Sequence, residues 1–436
     1  MAETRVRFAP SPTGKVHIGN IRAAIYNWLY ARHTGGKFLL RVEDTDLERS
    51  TPEAIAVLID CMKWLGLDWD EEVFYQTKNL RRHQECVERL LASGRAYKVE
   101  KTSRDGKTGV VTMFRMPKEG VIEFDDIVKG HMAKKAEDIQ DFAIVRSDGS
   151  PIFHIANVVD DIDQRVTHII RGDDHVENTF KHIEIFKALG APVPQYAHLS
   201  MIVNQQGKPY SKRDGAAFVG EFRDEGYLPE ALFNYLLLLG WNPGDEREVL
   251  TRDEMVELFD LSKVHVTAAK FDLKKLKWMN GEYIKRMPQE AFAEEVKRRV
   301  PSAAERDATW LASLCSQLQV RTKFLNDIPS MAKPFVSDDF EFDEAAVEKR
   351  LKKPGVKELL VDIAERFSKA AEWKATGLEA IVKELSQGSG MGPWVHPIRV
   401  AVSGRGEGIG LFEMLELLGR ETTLSRIRRA AETMCR

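Results

Sequence analysis

The sequence predicts an α/β domain built on a parallel sheet, followed by an all-α region. Residues 5–43 alternate strand, helix and strand, which makes a βαβ unit of the size of a nucleotide-binding half. From about residue 290 onward, apolar residues recur almost everywhere at helical spacing. Because 436 residues exceed one ordinary hydrophobic core, we expect two to four domains.

The first strand runs from Arg5 to Ala9 and leads through a tight turn into a helix that begins near Ile18. The turn is indicated by Pro10, Pro12 and Gly14. The helix is indicated by the apolar residues Ile18, Ile21, Ile25, Trp28 and Leu29. His17, Gly19 and Asn20 therefore lie at or near a helix start, where unpaired backbone N–H groups attract phosphate.

A second strand is predicted over residues 37–43, after Gly35 and Gly36 end the helix. Its carboxyl end, where parallel sheets bind ligands, carries the acidic cluster at residues 43–46. Asp46 and Glu48 are better explained as the cap and first-turn charges of a helix that begins near Thr51. Further helices are predicted over residues 53–66 and 79–94, and a strand resumes at Ala96.

The middle of the chain is less regular. Between Lys98 and Asp141 only short strands are indicated, over residues 110–114 and 121–124. Residues 141–163 are predicted as strands with a turn at 148–151, and residues 166–171 as a short buried strand. Residues 208–213 form a polar, basic loop, and apolar and basic amphipathic helices follow at residues 228–236 and 271–287.

Composition excludes little. The chain is 43% hydrophobic and 30% charged with net charge −3, and a pI near 6.5 argues neither for nor against an RNA partner. The cysteines Cys61, Cys86, Cys315 and Cys435 form no close pair, which disfavours zinc bound by paired thiolates and gives no disulfide framework. The sequence begins with a charged strand and has no apolar run long enough to span a bilayer, so we expect a cytoplasmic protein without membrane contact.

The string RVRFAPSPTGKVHIGNIR at residues 5–22 resembles the signature loop of class I aminoacyl-tRNA synthetases, and of their glutamyl branch in particular. That motif is written HIGH; here His17 takes its first position and Asn20 its last. Residues 208–213 resemble the second motif, KMSKS, with Pro209 in place of its first lysine. The resemblance implies an α/β Rossmann-type catalytic domain with an inserted acceptor-binding subdomain, followed by an all-α anticodon-binding region.

The resemblance also implies the domain boundaries. The catalytic domain is expected at residues 1–97 and 141–240, interrupted at residues 98–140 by a shortened acceptor-binding insertion. A helical stem-contact domain is expected at residues 241–320 and the α-helical anticodon-binding domain at residues 321–436. The insertion lacks the cysteine-bearing segment common in bacterial members, so zinc is not expected.

The matched motifs imply two groups of site residues. His17 and Lys212 are the expected catalytic residues, with Mg²⁺ on the phosphates of ATP. ATP binding is expected at Pro10, Ser11, Thr13, Gly14, His17, Gly19, Asn20, Ser211, Lys212 and Arg213. Glutamate binding is expected at Arg7, Ser11, Glu43, Phe153, Asn157 and Arg171.

Within the glutamate group, Arg7 and Arg171 are the expected partners of the side-chain carboxylate, and Glu43 that of the ammonium group. Phe153 stands where the family commonly has tyrosine, so one hydroxyl contact to the substrate carboxylate is absent. A neutral glutamine would leave the buried guanidinium groups without a counter-charge, at a cost on the order of a few kcal/mol.

The implied activity is the ligation of L-glutamate to tRNA through an adenylate, by a monomer that contacts both the acceptor end and the anticodon. A glutaminyl-type enzyme, a truncated paralogue that glutamylates a modified base, and a catalytically silent tRNA-binding paralogue are the alternatives. Whether tRNA(Glu), tRNA(Gln) or both are charged depends on side chains that face the anticodon, for which Gln319 and Arg321 are candidates.

Overall fold

The computed structural model describes residues 3–12, 14–45, 50–102, 108–388 and 390–435, which divide into two units between Met279 and Asn280. The strands, all in the first unit, are β1 Arg5–Phe8, β2 Lys37–Val42, β3 Phe74–Tyr75, β4 Ala96–Thr102, β5 Thr108–Phe114, β6 Val121–Asp126, β7 Gly130–Lys135, β8 Phe142–Val145, β9 His168–Gly172, β10 Gln195–Leu199, β11 Ile202–Val203 and β12 Ala269–Lys270. The first-unit helices are α1 Ile18–Thr34, α2 Pro52–Trp64, α3 Leu80–Ala92, α4 Phe153–Asp163, α5 Val176–Ala188, α6 Val219–Glu225, α7 Pro229–Leu238 and α8 Arg252–Leu258, while α9 Leu273–Arg286 crosses the division.

A parallel sheet organises the first unit. β1 pairs with β2 and β2 with β3, while β9 pairs with β10 on the other side. The backbone N–H of Thr167, next to β9, donates to the carbonyl of Arg5 in β1 at 2.9 Å and joins the two halves. The carboxyl ends of β1, β2, β9 and β10 therefore meet at one edge, and the predicted βαβ unit is confirmed.

The first helix begins and ends as predicted. The His17 side chain accepts the first free N–H of α1, and Gly35 closes the helix in the left-handed conformation at φ 64°. Ile18, Ile21 and Ile25 are fully buried, which fixes the face that α1 turns to the sheet.

The insertion is strand-rich. β4 and β5 pair antiparallel and β5 pairs with β8, while β6 and β7 form an antiparallel hairpin. Asp126, the last residue of β6, is in parallel register with Tyr196 of β10. The insertion thus extends the catalytic sheet, and the short strands predicted at 110–114 and 121–124 lie within β5 and β6.

The prediction of strands over the second part of residues 141–163 is wrong. After β8 and the turn at Asp148, the chain forms helix α4. Ile155, Val158 and Val159 recur at helical spacing and are buried against α3 and α5. The helix therefore buries one continuous apolar face, and it places Phe153, Asn157 and Asp161, spaced by four residues, on the face toward the sheet edge.

The second unit is helical, as predicted for the chain beyond residue 290. Its helices are α10 Gln289–Arg299, α11 Pro301–Ala304, α12 Ala308–Gln319, α13 Ile328–Val336, α14 Glu344–Arg350, α15 Val356–Ser368, α16 Ala375–Leu385, α17 Gly392–Ser403, α18 Leu411–Leu418 and α19 Arg420–Thr433. Arg426 of α19 is buried and donates to the carbonyls of Pro334 and Val402, which ties α19 to α13 and α17. Among the described residues, no helix is both long enough and apolar enough to cross a bilayer.

Candidate active site

A cavity of about 670 Å³ lies at the carboxyl edge of the parallel sheet. Its lining includes the predicted site residues Arg7, Pro10, Ser11, His17, Gly19, Asn20, Glu43, Phe153, Asn157 and Arg171. Gly14 borders a small neighbouring hollow instead, and Thr13, Asp46 and Glu48 fall outside the described residues. Ser211, Lys212 and Arg213 follow Pro209 and Tyr210, which do line the cavity.

His17 is held at the start of α1. Its Nδ1 accepts the backbone N–H of Gly19 at 3.0 Å, so in the neutral ring the proton is on Nε2. Burial lowers the pKa of His17 below its ordinary value, while the backbone of Tyr210 and the charge of Glu221 oppose this. His17 is therefore a neutral hydrogen-bond donor near pH 7.

The two sequence motifs meet at Phe218. The N–H of Val219 donates to the carbonyl of Val16, and the N–H of Ile18 to that of Ala217, each at 3.0 Å. This antiparallel bridge places the Phe218 ring edge-on to His17, with centroids 5.7 Å apart. The Nζ of Lys212 lies 4.9 Å from the same ring's centroid, so His17 and Lys212 flank one aromatic side chain.

The loop that carries Lys212 is closed by two polar side chains. Asp214 Oδ2 accepts from the backbone N–H and the hydroxyl of Ser211, both at 3.0 Å, and Asp214 Oδ1 accepts from Asn204 at 2.8 Å. Lys212 and Arg213 are exposed, and no carboxylate of the described residues lies within ion-pair distance of either. Ser211 thus holds the loop closed, and the two cations are left for an anionic ligand.

Glu43 and Asn157 form the opposite end of the cavity. The Nδ2 of Asn157 donates to Glu43 Oε1 at 2.7 Å, and Arg41 Nη2 lies 3.6 Å from the same oxygen. Burial raises the pKa of Glu43, while the charges of Arg41 and Arg7 and the Asn157 hydrogen bond oppose the rise. A cationic ligand group would favour the ionised carboxylate.

Asp161 pairs with two of the arginines. Its Oδ1 lies 2.6 Å from Arg41 Nη1 and 3.0 Å from Arg7 Nε, and all three side chains are buried. Despite burial, these two guanidinium groups hold the pKa of Asp161 below its usual range. Arg7 therefore lines the cavity with its charge already balanced.

Arg171 has no such partner. It is 7% exposed, and its Nη2 donates to Thr179 Oγ1 at 2.7 Å and its Nε to His198 Nε2 at 3.3 Å. Among the described residues, no carboxylate lies within 4.0 Å of its guanidinium group. Burial lowers the pKa of Arg171 to about 10. A carboxylate ligand would supply the missing counter-charge.

Phe153 stands among three histidines. Its ring centroid lies 5.6 Å from that of His154, 5.7 Å from His175 and 5.6 Å from His182. Burial lowers the pKa of His154 to about 4 and that of His182 well below its ordinary value. The neutral rings of His154 and His182 therefore place no positive charge near Arg171.

Several lining residues were not predicted, among them Arg22, Asp174, His175, Asn178 and Ser200. Arg22 donates to the carbonyl of Ser200 at 2.6 Å, and its Nε and Nη2 are buried without a partner. The sequence could have indicated that Arg22 is buried. It lies four residues after Ile18 and three before Ile25, which places this cation on the apolar face of α1. Asp174, His175 and Ser200 follow strand ends and Asn178 lies in the first turn of α5, and their convergence is visible only in the fold.

In the second unit, Gln319 is not free to contact a base. Its Nε2 donates to the carbonyls of Ile284 at 2.9 Å and Met287 at 2.7 Å, and the residue is 6% exposed. It instead closes the end of α9, so its suggested role at the anticodon is wrong. Arg321 lies close enough to Arg399 to lower that residue's pKa, after the larger effect of burial.

Comparison with known proteins agrees with this geometry. Residues 3–108 and 98–278 match the family described as tRNA synthetases class I (E and Q), catalytic domain, and residues 291–431 match the anticodon binding domain. A glutamate–tRNA ligase of Francisella philomiragia is 40% identical over a 465-residue alignment that covers 98% of this chain and 99% of that protein.

Two solved structures are similar over almost the whole chain. One is a glutamate–tRNA ligase from Elizabethkingia meningosepticum in complex with its amino acid, at 30% identity and a TM-score of 0.88, with 99% of this chain and 100% of that one covered. The other is a glutamate–tRNA synthetase from Elizabethkingia anophelis, at 30% identity, a TM-score of 0.86 and the same coverage. The fold and the cavity define a class I tRNA synthetase, an ATP-using enzyme class. Within that class, the chain belongs to the glutamate–tRNA ligase family.

Proposed function

We propose that this chain ligates L-glutamate to tRNA in two steps. The α-carboxylate of glutamate attacks the α-phosphate of ATP, which forms glutamyl-adenylate and releases pyrophosphate. The terminal ribose hydroxyl of tRNA then attacks the activated carbonyl and releases AMP. The observation that carries the proposal is a single cavity lined both by Arg171, a buried cation with no carboxylate partner among the described residues, and by His17, which packs against the same Phe218 ring as Lys212.

Glutamate fits the first end of the cavity by charge. Its side-chain carboxylate would occupy the open side of Arg171, with Arg7 adding a second, already balanced guanidinium group. Its ammonium group would contact Glu43, which Asn157 orients through the 2.7 Å hydrogen bond. Glutamine has no charge to offer Arg171, so the same geometry favours glutamate over the glutaminyl alternative.

The other end fits the phosphates of ATP. The Nε2–H of His17 would donate to a phosphate oxygen, the positive end of the α1 dipole would favour the phosphate charge, and Lys212 would offset the charge of the leaving pyrophosphate. Mg²⁺, when bound, neutralises phosphate charge and is held largely by the phosphates themselves, which suits a site with few carboxylates. Catalysis then consists of positioning and charge stabilisation, without a protein nucleophile.

The tRNA would contact both units, its acceptor end at the insertion and its anticodon at the second unit. The match of residues 291–431 to an anticodon binding domain supports this, as do the names of the relatives. Which tRNA is charged, a monomeric state and a cytoplasmic location stay predictions from the sequence, and so do the domain boundaries and the absence of zinc.

The test is charging of labelled glutamate, with ATP and Mg²⁺, onto purified tRNA(Glu) and tRNA(Gln) in parallel. Charging of either supports the proposal, and the ratio gives the tRNA specificity. Labelled glutamine, run alongside, should not be charged. Binding of both tRNAs without charging would contradict the proposal and favour the silent tRNA-binding paralogue.

A further inference from the structure

A buried chain of hydrogen bonds leads from the insertion to Arg171. Asp126, at the end of β6, accepts through its Oδ2 from His198 Nδ1 at 2.6 Å, and both side chains are fully buried. The other ring nitrogen of His198, Nε2, lies 3.3 Å from Arg171 Nε and 3.0 Å from Thr179 Oγ1. Asp126 is thus two hydrogen bonds from the guanidinium group.

The donors and acceptors in this series of hydrogen bonds allow only one tautomer of His198. A guanidinium N–H can only donate, so His198 Nε2 must accept, and the ring proton is therefore on Nδ1, where it points at Asp126. Burial lowers the pKa of His198, so the ring is neutral. Asp126 is also buried, but the His198 bond and the N–H of Lys129 hold its pKa below the usual value. The Asp126 carboxylate thus lies one imidazole ring away from Arg171 and does not contact the guanidinium group directly.

We propose that Asp126 and His198 are positioning residues for the glutamate site, which orient Arg171 toward the substrate carboxylate without occupying its open side. The inference rests on the proposed function, in which Arg171 binds that carboxylate. A carboxylate in direct contact with Arg171 would compete with the substrate for the same N–H groups. The interposed imidazole keeps the guanidinium group oriented and leaves those groups free.

Asp126 also links this series of hydrogen bonds to the backbone of the insertion. Its Oδ1 accepts from the backbone N–H groups of Val128 at 3.0 Å and Lys129 at 2.8 Å, which form the turn between β6 and β7. It accepts the backbone N–H of His198 as well, at 3.2 Å. The turn of the acceptor-binding insertion and the glutamate-binding arginine therefore share one carboxylate.

The variant Asp126→Asn tests the proposal. The backbone N–H groups of Val128 and Lys129 need the remaining oxygen, so the new amide must turn its NH₂ group toward His198. The imidazole can then bond only by moving its proton to Nε2, where it opposes the Arg171 N–H; the same change of tautomer follows the Asp→Asn substitution in serine-protease triads. We expect the KM for glutamate to rise about 10- to 100-fold in tRNA-dependent pyrophosphate exchange, with kcat and the KM for ATP within about 3-fold.

A matched control and a second readout separate positioning from general damage. Asp125→Asn alters the adjacent exposed carboxylate, which bonds His131, and should leave all three constants unchanged. In ¹⁵N NMR spectra of the full chain, the His198 signals should shift from the Nδ1–H to the Nε2–H pattern in Asp126→Asn alone. His198→Gln, whose amide oxygen can still accept from Arg171, should raise the KM for glutamate less than His198→Leu.

The outcomes are distinct. An Asp126→Asn protein with an unchanged KM for glutamate, or one in which the constants for ATP and glutamate worsen together, overturns the positioning role. If Asp126→Asn does not fold, equal KM values for His198→Gln and His198→Leu overturn it. If the unmodified protein shows no glutamate-dependent exchange of pyrophosphate into ATP, the proposed function itself is contradicted. The His198 tautomer in the NMR spectrum then still tests the hydrogen bonds from Asp126 to Arg171.

Discussion

The two ends of the cavity are built in different ways. At the amino-acid end, Glu43, Asn157 and Arg171 are buried and each is held by named side-chain partners. At the phosphate end, Asn20, Lys212 and Arg213 are exposed, and order comes from backbone bridges and the loop-closing Asp214. The difference suggests that a small amino acid is selected by buried groups fixed in advance, whereas phosphate charge can be met by exposed cations beside a helix start.

The largest effect should come from breaking the ion network of the amino-acid end. Asp161→Asn leaves Arg7 and Arg41 buried with reduced counter-charge, and we expect the free energy of unfolding of the catalytic unit to fall by about 3–5 kcal/mol. Urea denaturation followed by circular dichroism measures this. Asp163→Asn, two residues further along α4 and 27% exposed, should cost less than about 1 kcal/mol. Equal losses in the two variants would contradict the structural role of Asp161.

Arg171→Ala should weaken glutamate binding without affecting ATP binding. We expect the KM for glutamate to rise by about 10²- to 10³-fold, because the substrate carboxylate loses its charged partner, while the KM for ATP stays the same. Pyrophosphate exchange with tRNA present measures both constants. Arg171→Lys keeps the charge without the planar fork and should recover only part of the loss. An unchanged KM for glutamate would remove Arg171 from the site.

Lys212→Ala should slow adenylate formation without weakening glutamate binding. Loss of the charge that meets the leaving pyrophosphate should lower kcat by about 10²-fold with little change in the KM for glutamate. Lys208→Ala is the matched control, since Lys208 is exposed in the same loop and should change kcat by less than about 3-fold. Single-turnover adenylate formation gives the comparison, and similar losses in both variants would mean that only the overall charge of the loop matters.

The smallest effect concerns Phe153, at the boundary of the amino-acid end. Phe153→Tyr adds the hydroxyl that the family commonly has, and one more hydrogen bond to the substrate should lower the KM for glutamate by about 2- to 10-fold. Steady-state charging of tRNA measures this. A higher KM would show instead that the three surrounding histidines leave no room for the hydroxyl. His131→Gln, on the exposed β7, serves as the neutral control.

Local sequence patterns predicted the strands and the helix around the site, but they did not predict its long-range contacts. The strand, turn and helix at residues 5–34 and the positions of Arg7, Glu43 and Arg171 at strand ends followed from periodicity and from the sheet rule. Helix α4 was missed because its β-branched and acidic residues resemble a strand with polar ends. Asn157 and Asp161 gain their partners, Glu43 and Arg7, from more than 110 positions away, which no local pattern shows.

The same limit applies to His198, which the sequence did not single out, and to Gln319, whose suggested role the structure does not support. His198 lies 72 positions from Asp126, in a part of the chain where the pattern was weak. Gln319 is the last residue of α12, and only the fold shows that its amide donates to carbonyls at the end of α9. A local motif places a polar residue in the fold, whereas a role that depends on a distant partner cannot be inferred from a local pattern.

The bridge at Phe218 has a consequence for how the chain becomes an enzyme during its synthesis. It joins Val16 to Val219, about two hundred positions apart, so the ribosome must extend the chain past the whole insertion before the bridge can close. Until then, the signature loop has no second motif beside it. If ATP needs both motifs to bind, we expect it to stabilise the chain only after α6 has left the exit tunnel, and not a nascent fragment that ends within the insertion.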